Sequence, residues 1–273
     1  MSVTQQTSPT ISFQNVTRRF GEGGKTFLAL DRLSLDIANG EFVTVVGPSG
    51  CGKSTAMNIA AGLMDVSEGK VLVDGKPVHG PGPERGVIFQ QYALFPWLTV
   101  RQNVEFGLRI KRIPASERKR VSDHFIDLVG LKEFADALPK TLSGGMKQRC
   151  AIARAYAVNP SILLMDEPFG ALDALTRVGM QDQLLDTWSR ERRTVVFITH
   201  DVDEAVYLAN RVVVMAARPG RLHKIISVDL PYPRTEEMRL SAEFTAIRNQ
   251  VWHAVYHQKP QVEPMYKTGE CQQ

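Results

Sequence analysis

Apolar and polar residues alternate through ISFQNV and LALDRLSLDI, and EFVTVV then runs into a glycine-rich turn, so residues 11–46 predict β structure. VLVDGKPV predicts a hairpin, because Asp74-Gly75 suits a tight turn between strands. From about residue 98 to 158 the period changes to that of amphipathic helices, through SERKRVSDHFIDLVGL and GGMKQRCAIARAYAV, with Pro114 and Pro139 as punctuation. SILLMDEP and TVVFITH are short, nearly unbroken apolar runs of the kind that form parallel strands buried on both faces, and QDQLLDTWSRER between them is helical. The pattern is an α/β chain with a sheet-rich N-terminal lobe and a helical insertion. Beyond ANRVVVMAARPG the patterning weakens from about residue 221 and ends in the polar segment GECQQ.

Composition narrows the classes. At 273 residues, 43% hydrophobic and 23% charged, the chain is an ordinary globular protein with room for one large core or two modest lobes. No apolar run approaches the roughly 18 to 20 residues that span a bilayer, and MSVTQQTSPT lacks the basic-then-apolar pattern of a signal peptide. The expectation is a cytosolic chain, unless another chain holds it at a membrane. Cys51, Cys150 and Cys271 are odd in number and show no metal-ligand spacing, which fits reduced thiols. A net charge of +4 gives no footing for a nucleic-acid partner. RIKRIPASERKR at 109–120 is either a solvated helical face or a surface attracted to anionic lipid headgroups.

The chemistry is concentrated in a few strings. GPSGCGKST at 47–55 matches G-x-x-x-x-G-K-[ST] between a strand and a helix, the context that a phosphate cradle requires. Gly47, Pro48, Ser49, Gly50, Cys51, Gly52, Lys53, Ser54 and Thr55 form it; the glycines let backbone N–H groups approach phosphate oxygens, and the Cys51 side chain is filler. Lys53 is expected on the β and γ phosphates of ATP and Ser54 on Mg²⁺. Asp166 and Glu167 end a buried strand, where ligands bind in open α/β sheets; Asp166 is expected in the Mg²⁺ shell and Glu167 as general base to the attacking water. His200 ends the next strand and is expected to face the γ-phosphate, with Asp201-Val-Asp-Glu204 resembling a capping box after it. Gln90 is the candidate to reach metal and water, with Gln91 competing; Phe20 either stacks on adenine or packs in the core.

Ser143, Gly144 and Gly145 open a second helix with anion-binding chemistry, although the chain already encloses its nucleotide with the first cradle. The second site then serves another ATP, which a head-to-tail pair of identical chains satisfies with two equivalent sites.

In order and approximate spacing, GPSGCGKST, VIFQ, LSGGM, ILLMDEP, FGALD and ITH resemble the ATPase subunits of ABC transporters over about residues 11–220. The resemblance implies a P-loop NTPase core of ABC type with an N-terminal antiparallel β subdomain and a helical subdomain, about 92–158, inserted in the α/β core. It also implies an ATP sandwich homodimer, with Asp173 of FGALD touching the partner's site. It places the chain peripherally on the cytoplasmic face of a bacterial inner membrane, bound to transmembrane permease subunits and indirectly to a solute-binding protein. The region Gln90 to Trp97 is then the receptor for a permease coupling helix, unless Trp97 is core. The family signature most often reads LSGGQ; Met146 replaces the Gln here, leaving Ser143 and the N–H groups. LSGGM-KQR, LFPWLTV and RPGR are similar to the nitrate, sulfonate and taurine uptake branch. About fifty residues follow RPGR, so 221–273 is expected to be a short extension without a large regulatory domain. Competing expectations are an ABC-type ATPase acting on nucleic acid or ribosomes, for which a coiled-coil insertion, zinc cysteines or tandem domains would be needed, and an ATPase for export or lipoprotein release.

Overall fold

In the computed structural model, which describes residues 9–21 and 26–258, two sheets and a set of helices enclose two cores. Strands β1 (Ile11–Phe20), β2 (Phe27–Ile37), β4 (Glu68–Val73) and β5 (Lys76–Pro77) form an antiparallel sheet in the order β2-β1-β4-β5. Asp74 and Gly75 both take positive φ between β4 and β5, the tight turn expected of that dipeptide. The second sheet has the order β10-β9-β3-β8-β7-β6, built from β3 (Phe42–Val46), β6 (Arg85–Ile88), β7 (Ile162–Asp166), β8 (Thr194–Ile198), β9 (Arg211–Ala216) and β10 (Arg221–Ser227). All its pairs are parallel except β9 with β10.

The unbroken apolar runs have a direct packing cause. Phe42 and Val46 of β3 and Val195 and Phe197 of β8 enter one core, while Val43, Val45, Val196 and Ile198 enter the other. Each strand is therefore apolar on both faces, and the buried Thr44 and Thr194 bond Ala205 O and Gly40 N–H through their hydroxyls. The first core is centred on Phe42, which meets Trp188 edge-on at 5.8 Å and lies 6.1 Å from Phe197. The second lies between the two sheets and takes Met57 and Ile59 from α1 (Lys53–Ala61).

Between β6 and β7 the chain makes α2 (Val100–Ile110), α3 (Ala115–Leu128) and α4 (Gly144–Ala157). Thr99 opens α2 with a reciprocal cap: its hydroxyl accepts from Gln102 N–H at 3.2 Å, and its own N–H donates to Gln102 Oε1 at 3.0 Å. The basic stretch is largely paired locally. Arg109 bonds the buried Glu105 at 3.1 Å, and Lys119 bonds Asp123 at 2.7 Å on the solvated face of α3.

After α5 (Ala174–Glu191) and α6 (Val202–Leu208), the chain does not separate at 220, the boundary expected from the sequence. That boundary falls inside a hairpin, because β10 pairs along β9 from Arg221 to Ser227. Helix α8 (Ala242–Tyr256), following the single turn α7 (Glu236–Arg239), adds Phe244, Val251, Ala254 and Val255 to the first core. The patterning looked weak because β10 is an edge strand on which Ile226 is the buried residue. Cys271 and the GECQQ segment lie outside the described residues. Phe244 is 2% exposed, so Phe244→Ala should cost about 3–5 kcal/mol, read as a lower urea midpoint at unchanged slope. A loss below about 1 kcal/mol would show the C-terminal helix to be an appendage.

Candidate active site

Four neighbouring parallel strands, β3, β8, β7 and β6, deliver the candidate residues from one edge of the sheet, their carboxyl ends. The turn after β3 carries the candidate phosphate cradle. Gly52 has φ +88, and a Cβ there would lie 2.6 Å from Leu30 Cδ2; a Cβ on Gly47 would lie 2.6 Å from Met215 O. Both positions therefore require glycine. Ser49, Gly50 and Ser54 are exposed, whereas the Cys51 side chain is fully buried, its thiol pushed up by that burial. Lys53 folds over the turn, donating to Gly47 O at 2.8 Å and Pro48 O at 3.2 Å. Thr55 continues into α1, half-buried.

Ser54 bonds the Asp166 carboxylate, which is 8% exposed at the end of β7. Burial raises the Asp166 carboxyl above its ordinary range; the Ser54 bond opposes this, and the adjacent Glu167 charge adds to it. A hydroxyl and a carboxylate held together beside a phosphate cradle are hard oxygen donors, the set that suits Mg²⁺.

Glu167 departs from strand geometry. Its φ is +46, and its backbone is tied at both ends, N–H to Ile198 O at 3.0 Å and O to Gly170 N–H at 3.1 Å. A non-glycine residue in that region costs about 1–3 kcal/mol unless its surroundings hold it there. Its carboxylate meets Gln90 Nε2 at 3.2 Å through Oε2 and His200 Nδ1 at 3.2 Å through Oε1. The bond to Glu167 falls to Gln90, not Gln91. A polar hollow beside the carboxylate is lined by Arg177, Thr199, His200 and Asp201, among others.

The structure thus brings together Lys53, Ser54, Gln90, Asp166, Glu167 and His200. Ser143, Gly144 and Gly145 stand elsewhere, at the start of α4 in the helical insertion. The Ser143 hydroxyl accepts from Met146 N–H at 3.3 Å, and Met146 itself packs against the first core. Asp173 caps α5 through Thr176 N–H at 3.0 Å, a bond that lowers its carboxyl. Phe20 is half-buried, lies outside both cores and carries the Arg18 guanidinium 4.7 Å from its ring centre. Trp97 is 72% exposed and is not core. Sequence reasoning missed Arg177, which sits beside Glu167 and donates to Leu172 O at 3.0 Å, and Arg154, which holds Ala93 O at 2.6 Å and so ties the segment after Gln90 to α4. Neither arginine has a motif to mark it.

A family model described as "ABC transporter" matches residues 30–170. A protein of Brucella abortus (strain 2308) described as ATP-binding is 76% identical over 262 residues, 96% of this chain and 99% of the relative. The aliphatic sulfonates import ATP-binding protein SsuB of Bacillus licheniformis is 51% identical over 234 residues, 86% of this chain and 89% of that protein. Among solved structures, a dimeric post-hydrolysis state of the ATP-binding cassette MJ0796 bound to ADP and Pi is similar with a TM-score of 0.75 and 33% identity, covering 81% of this chain and 100% of the other.

Proposed function

Because the chain belongs to the ABC transporter family, we propose that it is the ATP-hydrolysing subunit of a membrane importer for nitrate, a sulfonate, taurine or a related small solute. The chain is an ATP-binding ATPase of that family. The observation that carries the importer reading is the 51% identity to a protein named for sulfonate import, together with LFPWLTV and RPGR.

In this reading Glu167 takes the proton of the attacking water, while Gln90, bonded to its carboxylate, and His200, 3.2 Å from it, orient that carboxylate and the water. Lys53 leaves its two carbonyl partners for the β and γ phosphates of ATP. Phe20 stacks on adenine. Ser54 and Asp166, with Gln90, would hold Mg²⁺, which when bound neutralises charge developing on the phosphate oxygens. The left-handed backbone at Glu167 separates the two adjacent carboxylates, so one serves metal and the other proton transfer.

Ser143, Gly144, Gly145 and Asp173 act on the nucleotide of a second copy. Their place on separate helix starts supports this, as does the dimeric similar cassette. No helix among the described residues is long and apolar enough to cross a membrane. In this reading separate permease subunits carry the solute, as the similarity to a sulfonate import ATP-binding protein supports, and the chain is bound peripherally at the cytoplasmic face of the bacterial inner membrane. Trp97, exposed at the end of the segment that begins at Gln90, is the surface for the permease. Binding of ATP closes the pair and hydrolysis reopens it.

The test is a pull-down of tagged Glu167→Gln chain with ATP from detergent-solubilised native membranes. Recovery of a multi-spanning permease is expected. Recovery of soluble partners or nucleic acid alone, with ATP trapping verified, would overturn the importer reading.

A further inference from the structure

Helix α6 begins with half of the expected capping box. The Asp201 side chain accepts from Glu204 N–H at 3.1 Å, but Asp201 N–H donates to Thr199 Oγ1 at 3.0 Å instead of to Glu204. The Glu204 carboxylate has turned inward, leaving the residue 5% exposed, and accepts from Gln181 Nε2 at 2.8 Å and from the Thr199 hydroxyl. Gln181 is 3% exposed, and its Oε1 accepts from Arg239 Nη2 at 2.7 Å. Arg239, on α7, lies 3.5 Å from the centre of the Tyr207 ring. An unbroken series of hydrogen bonds thus runs from the C-terminal segment to the residues on both sides of His200.

A carboxylate is buried at a cost unless hydrogen bonds offset it, and a helix-start glutamate normally avoids that cost by staying in water. Burial raises the Glu204 carboxyl, with the Thr199 and Gln181 bonds acting in the opposite direction. The His200 side chain is 71% exposed and meets Glu167 at 3.2 Å, so its placement depends on the peptide that carries it. Thr199 and Asp201 hold that peptide, and Glu204 holds Thr199.

We propose that Glu204 is a positioning residue for His200, and that Arg239, acting through Gln181, makes the placement of the imidazole depend on the C-terminal segment. The inference rests on the reading of His200 as a hydrolytic residue. The test uses the full chain labelled with ¹³C at histidine Cε1, the His200 resonance being the one lost in His200→Ala. Gln181→Met and Arg239→Met should each shift that resonance and lower kcat about tenfold, with KM for ATP unchanged within about twofold. Arg239→Lys, which keeps a donor for Gln181 Oε1, should stay near the parent chain in both. Arg239 is only half-buried, so its variants decide the matter even if Gln181→Met does not fold. An unmoved His200 resonance in Arg239→Met would overturn the proposal and leave the bonds as an anchor for the C-terminal segment. A shifted resonance with unchanged kcat would uphold the positioning role and remove His200 from hydrolysis.

Discussion

Glu167→Gln should lower kcat about a hundred- to ten-thousand-fold while ATP binding persists and a dimer accumulates. The amide keeps the shape of the side chain and can still bond Gln90 and lie against His200, but it has no basicity for the water proton. Lys53, Ser54 and the cradle are untouched, so the nucleotide should bind as before. Phosphate release measures the first effect, and nucleotide retention with size-exclusion chromatography in ATP measures the second. Hydrolysis at the parent rate would remove Glu167 from proton transfer.

Ser143→Arg should abolish turnover comparably, by at least about a hundredfold, for a different reason. Ser143 is exposed at the start of α4, and its hydroxyl is used within its own helix, so the substitution costs the fold about 1 kcal/mol in lost capping. The bulky guanidinium would stand where the second copy's nucleotide must approach. The ATP affinity of the single chain should stay within about twofold of the parent, because the cradle lies on another element. Collapse of that affinity would place Ser143 in its own chain's site.

Much of this geometry was legible because its causes are local. Strands β3, β7 and β8 are buried at every position and mostly apolar since both faces are covered, and each motif sits where such a strand ends. The Asp74-Gly75 turn needs only the two residues' own backbone preferences. The illegible parts depend on distant chain. Strand β10 is held by its pairing to β9, so its residues need not alternate. Helix α8 did carry a signal, since Phe244, Ile247, Val251, Ala254 and Val255 fall at helical spacing, but the polar residues around them diluted it. The choice of Gln90 over Gln91 is made by Glu167, 77 positions away in sequence. The capping-box reading at Asp201 was half right: the helix start is there, but Glu204 was drawn into the interior by Gln181 on α5. No local rule anticipates that competition.

The central claim is that each hydrolytic site takes its base from one chain and its second anion-binding helix from another. It is tested most directly by mixing Glu167→Gln chain with Ser143→Arg chain, each inactive alone, and measuring hydrolysis. In a mixed pair, one site has Glu167 from the Ser143→Arg chain and Ser143 from the Glu167→Gln chain, so that site is whole. With random pairing and independent sites, the mixture should recover about a quarter of the parent rate. Absence of recovery, with mixed dimers verified, would mean that base and helix serve the same chain's nucleotide and would contradict the account.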